Sequence, residues 1–141
     1  MSKREINTEY KPYNFVKLFG KGEHLFEIEY FSDGFAFCVD YYIAKQVDKL
    51  IPISITNNWL KAFGFKGNDF QVDINRKFVY ISYDKRRKTL FVKDRDKKKI
   101  VDIANEIEYV HQLQNFCKTL KVKLKKINLT KFENENCNSR L

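Results

Sequence analysis

Short runs in which apolar and polar residues alternate with a period of two govern what this chain can become. "KFVYISYD" (Lys77 to Asp84) and "KTLFVKD" (Lys88 to Asp94) follow one another with only "DKRRK" between them. A period of two sends successive side chains to opposite faces of a strand, so both runs belong to a sheet. Val79, Ile81 and Tyr83 are expected on the same side as Leu90 and Val92 across a hairpin. "DFQVDIN" reads as a strand before them, and a fourth short strand is expected in "KIVDIA" or near "EIEY". Upstream, His24 to Ile43, "HLFEIEYFSDGFAFCVDYYI", holds two aromatic-rich runs around the turn residues Ser32-Asp33-Gly34 and reads as another hairpin. Phe26, Ile28 and Tyr30 would share its apolar face, with Glu27 and Glu29 on the other.

Two segments break this pattern with helical spacing. In "ITNNWLKAFGF" Thr56 stands as an N-cap, Trp59, Leu60 and Phe63 recur on one helix face, and Gly64 occupies the position of a C′ glycine. In "IEYVHQLQNFCKTL" (Ile107 to Leu120) a helix from Tyr109 to Leu120 gathers Val110, Leu113, Phe116, Cys117 and Leu120 within an apolar arc of about 120°. Gln112 and Gln114 flank that arc, and His111, Asn115 and Lys118 would form the outward face. "KVKLKKINL" returns to alternation and reads as an edge strand with one wet face. The expected fold is α+β, a single domain over residues 1–141, in which antiparallel hairpins form a curved sheet with one or two helices packed on one face. Residues 1–12 and 131–141 are expected to be frayed termini.

A chain of 141 residues with 43% hydrophobic and 16% aromatic residues can bury a substantial core despite being 32% charged. The net charge of +9 is uneven. Arg76 to Lys99 carries eleven Lys/Arg against three Asp, and Lys118 to Lys131 carries six Lys and no acid, whereas the first 75 residues are near neutral at −1. Such asymmetry points to a positive face directed at an anionic partner, most often nucleic acid. The candidate contacts are Lys85, Arg86, Arg87 and Lys88 at a hairpin tip, Lys97, Lys98 and Lys99 after the following strand, and Lys121, Lys123, Lys125 and Lys126 in the tail. Each neutralised phosphate releases counterions. Tyr80, Tyr83 or Phe91 on the intervening strands are candidates for stacking on bases, although sheet aromatics more often form the core.

Catalytic patterns are sparse. Cys38, Cys117 and Cys137 have no CxxC spacing and His24 and His111 lie far apart, so neither a disulfide framework nor a metal site is expected, and the cysteines read as small core residues. The only Glu-x-Lys is Glu9-Tyr10-Lys11, with no strand before it. Asp94 to Lys99 lacks the glycine and ligand spacing of a calcium loop. No phosphate loop, nucleophile elbow or His-Glu-x-x-His occurs. His24 with Glu27 and Glu29 is better read as a packed or surface residue than as an acid/base group. The expectation is a non-enzymatic protein without a cofactor, the enzyme alternative being a nuclease using Asp73 or Glu27. With no apolar h-region in "MSKREINTEYKPY" and no run long enough to span a membrane, the expected location is the cytosol.

Two segments carry a resemblance. "IEYVHQLQNFCKTL" resembles a Tyr-Val-His-Gln-Leu-Gln-Asn segment, and "ITNNWLKAFGF" a Leu-Thr-x-x-Trp-Leu-x-x-Phe-Gly-Phe segment, of small phage and mobile-element proteins of Bacteroidetes-type bacteria. The resemblance extends over about Pro52 to Leu120 and carries no activity to individual residues. It implies a setting in which small basic proteins serve as nucleic-acid accessories or as inhibitors of host defence. An anti-CRISPR protein fits that setting, in particular a type VI-B inhibitor. Its partner would be a host RNA-guided nuclease, its guide RNA, or both. The alternative is a general nucleic-acid-binding phage accessory with no protein target.

Overall fold

In a computed structural model of the protein, residues 10–17, 25–38 and 44–138 are described, and two compact units emerge. The first comprises the chain up to Ser54, Tyr109–Asn115 and the chain from Ile127; the second comprises Ile55–Glu108 and Phe116–Lys126. The α+β class and the antiparallel hairpins are as expected, but the strands form two sheets where one was anticipated. Each is a meander in sequence order.

In the first unit, β1 (Phe15–Lys17), β2 (Leu25–Ser32), β3 (Phe35–Cys38) and β4 (Ala44–Gln46) pair in succession, followed by a 3₁₀ turn at Val47–Lys49. Asp33 and Gly34 close the β2–β3 hairpin with φ of 49° and 80°, the paired positive φ that a two-residue turn matched to strand twist requires. A bulge between Ile28 and Tyr30 breaks the expected face. The extra residue flips the side-chain alternation, so Phe26 and Ile28 are buried, Tyr30 is exposed, and Phe31 packs inward instead. Tyr10, Val16, Ile28, Ala36 and Leu50 form the core cluster, with Phe31 and Val47 against it. The chain around Tyr10 is therefore packed, not frayed. The expected frayed C-terminal end carries a helix, here α3 (Leu129–Asn138), which rests against β2. His24 and residues 39–43 of the expected hairpin, along with Glu9, lie outside the described residues.

The second unit begins with α1 (Asn57–Phe63). Its Thr56 hydroxyl accepts from the Trp59 N–H at 3.3 Å, as an N-cap should. At its other end the Gly64 N–H donates to Lys61 O and the Phe65 N–H to Leu60 O, the paired bonds of a Schellman motif. Gly64 has φ of 106°, and a Cβ there would stand 3.1 Å from the Phe70 ring. Four strands follow: β5 (Asp69–Ile74), β6 (Lys77–Asp84), β7 (Thr89–Lys93) and β8 (Lys99–Ala104), the last being the expected "KIVDIA" strand. Tyr83 pairs with Leu90 and Ile81 with Val92, the anticipated register, and Ile81, Tyr83 and Leu90 are buried.

Helix α2 (Val110–Thr119) ends in a second Schellman motif, with Lys121 N–H donating to Lys118 O and Val122 N–H to Cys117 O. Lys121 takes the position usually given to glycine, at φ of 60°. Residues 122–128 are not a strand. The alternation survives, with Lys123 and Lys125 exposed and Val122 and Leu124 half-buried, but in place of a strand ladder the Lys125 N–H donates to Phe63 O. Cys38 and Cys117 are buried free thiols, and burial pushes Cys117 up to about 12.

Candidate nucleic-acid interface

All eleven cations singled out in the sequence fall in the second unit. That unit carries eighteen Lys/Arg against eight Asp/Glu, a net +10, whereas the first unit nets −1. The asymmetry along the chain thus becomes an asymmetry between folded units.

The two basic turns are built alike, and neither contains glycine. At the β6–β7 turn, Asp84 Oδ1 accepts from the Arg86 and Arg87 N–H groups at 3.0 and 3.1 Å, and Lys88 adopts a positive φ of 55°. At the β7–β8 turn, Asp94 Oδ1 accepts from the Asp96 and Lys98 N–H groups, both at 2.9 Å, and Lys97 has φ of 62°. In each case an aspartate opens the turn as an Asx cap and a lysine in the left-handed region closes it. The carboxylates are thereby engaged with backbone while Lys85, Arg86 and Lys98 in the same turns are exposed.

These cations are not equally available. Lys85, Arg86 and Lys98 are exposed, as are Lys121, Lys123, Lys125 and Lys126. Arg87 Nη2 lies 3.4 Å from Asp102 and Lys88 Nζ lies 2.5 Å from Glu108, so half of the expected hairpin-tip cluster already faces carboxylates. Lys99 Nζ is 2.7 Å from Asp102. The hydrogen bond from Lys99, aided by the charges of Lys99 and Arg87, holds the Asp102 carboxyl below its ordinary range. Lys97 Nζ is 3.5 Å and Lys93 Nζ 3.0 Å from Asp69, which also accepts from the Ser82 hydroxyl. Burial alone would raise the Asp69 carboxyl, but these hydrogen bonds and charges outweigh it and lower it.

Two features escaped the sequence reading. Lys61 and Lys66 join Lys85, Asn57 and Asn68 around an open cleft of about 970 Å³ next to Gly64. Lys93 and Arg95 join Lys97 and Lys99 above half-buried rings: Arg95 over Phe78 at 5.3 Å, Lys97 over Tyr80 at 5.3 Å, and Lys93 and Lys99 over Phe91 at 5.6 and 5.5 Å. Tyr83, by contrast, is a core residue whose hydroxyl donates to Ile107 O, and burial, with Glu108 and Asp84 nearby, pushes it up to about 12.

The polar residues of "YVHQLQN" have structural roles in the first unit. The Tyr109 N–H donates to Gln112 Oε1 at 2.9 Å, a helix-start cap from the third helical position. Gln114 and Asn115 hold the segment leading into β1: the Phe15 N–H donates to Gln114 Oε1, Gln114 Nε2 donates to Tyr13 O, and Asn14 Nδ2 and the Tyr13 hydroxyl both donate to Asn115 Oδ1. His111, expected at the surface, is fully buried with its ring 4.5 Å from that of Tyr10 and stacked on Tyr109. Burial lowers it to about 4. Leu120, placed in the apolar arc, is instead exposed.

No group of three or more His, Cys, Asp or Glu among the described residues is arranged to hold a metal ion, and no helix among them is long and apolar enough to cross a membrane. Compared with known proteins, the chain matches no family model, no curated protein and no solved structure.

Proposed function

We propose that this protein acts by binding, without catalysis, and that the second unit is its nucleic-acid-directed surface. The observation that carries the reading is the +10 concentrated in that unit beside a first unit at −1. A net charge of that size on so small a body attracts polyanions and accelerates encounter with them. The exposed tips at Lys85–Arg86 and Lys98, the lysines of the cleft and the Lys121–Lys126 segment supply phosphate contacts around one sheet.

The finer reading is an inhibitor of a host-defence ribonucleoprotein, of the anti-CRISPR kind, engaging an RNA-guided nuclease and its guide RNA. The resemblance to phage and mobile-element proteins supports it, with a type VI-B nuclease as the form to test. The purified protein is expected to co-elute with a guide-loaded nuclease of this type and to alter its guide binding or target cleavage. Replacing Arg86, Arg87 and Lys88 by Glu should abolish both effects. A protein that neither co-elutes nor changes either activity refutes the inhibitor reading. The general accessory reading predicts instead undiminished binding to bare RNA or DNA with no nuclease present, at a log affinity that falls steeply with log salt.

A further inference from the structure

We infer that the open face of the β5–β8 sheet is a base-stacking platform for single-stranded nucleic acid, an inference that rests on the proposed nucleic-acid role of the second unit and specifies its ligand. The register puts the relevant side chains on one face. Ser82 opposes Phe91 and Asp69, Tyr80 opposes Lys93 and Gln71, and Phe78 opposes Asp73. Phe78, Tyr80 and Phe91 therefore project from the side opposite the buried Ile81, Tyr83 and Leu90, and share their own face with the small side chains of Ser82 and Thr89, which are buried as well. Phe78 and Tyr80 meet edge to face at 5.6 Å and 81°.

None of the three rings is fully covered, and above each stands at least one long cation. An ordinary docking face for a protein would be apolar at its centre, with charge at its rim. Here charge and ring are interleaved at the centre, and this pattern complements a strand that offers bases and phosphates in alternation. Each ring can take the face of a splayed base, and the ammonium or guanidinium that rests on it in the free protein can move to the adjoining phosphate. Lys97 and Lys99 are suited to the exchange because their side chains are 59% and 45% exposed and are anchored only at their tips. Lys93, at 23%, stays with Asp69 and fixes the sheet face beneath. A duplex keeps its bases stacked inside and gives the rings nothing to receive.

The test measures fluorescence anisotropy of labelled oligouridylate, oligothymidylate and an RNA duplex, each of about twenty nucleotides, a length sufficient for such a site. Single strands are expected to bind at least about tenfold tighter than the duplex. Tyr80→Ala and Phe91→Ala are each expected to weaken single-strand binding by roughly five- to a hundredfold, the range for loss of one stacked base. Tyr80→Leu, which keeps apolar bulk and the fold but removes the flat ring, should weaken it likewise, whereas Tyr80→Phe should restore it. The salt slope should be unchanged in all three Tyr80 variants, because stacking releases no counterions. Comparing the two oligomers tells RNA from DNA. Wild-type affinity in Tyr80→Leu and Phe91→Ala, equal binding of duplex and strand, or no binding of any strand overturns the inference. If the ring variants bind normally while Arg86, Arg87 and Lys88 to Glu abolishes binding, the functional reading stands and the platform falls. If the rings matter but no nuclease co-elutes, the platform stands and the inhibitor reading falls.

Discussion

Phe15 and Gln114 are 99 residues apart in sequence, yet the Phe15 N–H donates to Gln114 Oε1 at 2.9 Å while Gln114 Nε2 returns a bond to Tyr13 O at 3.2 Å. One side-chain amide thus satisfies a donor and an acceptor of the short chain segment that enters β1. Gln114→Ala leaves both backbone groups without this partner in a buried setting, at a cost of about 1–3 kcal/mol. Urea denaturation should show a lower midpoint at unchanged slope. An unchanged midpoint would mean that other groups take over both bonds.

His111 makes stability depend on pH. Its ordinary value of 6.5 is lowered to about 4 by burial between Tyr10 and Tyr109, so the folded state resists a proton that the unfolded state accepts. Above pH 6.5 the imidazole is neutral in both states and nothing is lost. As the pH falls through that value stability declines, and the loss levels off below about 4 at no more than about 3 kcal/mol. Asp69, whose carboxyl is lowered, loses its contribution only at more acidic pH. Thermal unfolding from neutral pH down to pH 4 should therefore fall more steeply in the wild type than in His111→Phe; parallel curves would refute the assignment.

Gly64 and Lys121 occupy equivalent C′ positions of two Schellman motifs and should respond oppositely to substitution. Gly64→Ala forces a Cβ into the left-handed region and against Phe70, and should destabilise the protein by about 1–2 kcal/mol. Lys121→Gly removes the same strain at φ of 60° and should stabilise it by up to about 1 kcal/mol. Chemical denaturation of the two single variants gives both signs, and equal signs would contradict the shared geometry.

Asp94 gives a counterintuitive case. Asp94→Ala makes a basic protein more positive but removes the acceptor for the Asp96 and Lys98 N–H groups, so the β7–β8 turn should loosen by about 1 kcal/mol. Asp94→Asn keeps an acceptor oxygen and should retain the turn. Hydrogen exchange at Asp96 and Lys98 separates the two variants, and identical protection in both would show that backbone bonding suffices.

Local chemistry was legible where it was self-contained. Thr56, Gly64, the Asp33-Gly34 turn and the β6–β7 register each depend on residues a few positions apart, and each was found where expected. Long-range partners were not legible. The helical phase placed Val110, Leu113 and Cys117 in the core correctly, but it misplaced Leu120, and nothing in it reveals that His111 and Asn115 are covered, because Tyr10, Asn14 and Phe15 arrive from about a hundred residues away. The bulge at Glu29 likewise flips Tyr30 without any glycine to mark it. For the candidate interface, the cations were visible as charge runs, but their pairing with Asp69, Asp102 and Glu108 required the sheet to be folded. The contribution of Lys93 and Arg95 was hidden because it lies in what they stand over, not in how many they are.

The cations over Phe78, Tyr80 and Phe91 have a further consequence for the protein alone. A sheet face with three partly bare rings invites copies of the same chain to adhere, and β8, with Ile100 and Val101 exposed at its edge, adds a second adhesive strip. Lysine and arginine heads held above those rings act as gatekeepers against that self-association, because stacking two such faces would bring like charges together. Neutralising Lys97 and Lys99 would then show itself first as turbidity in a concentrated solution.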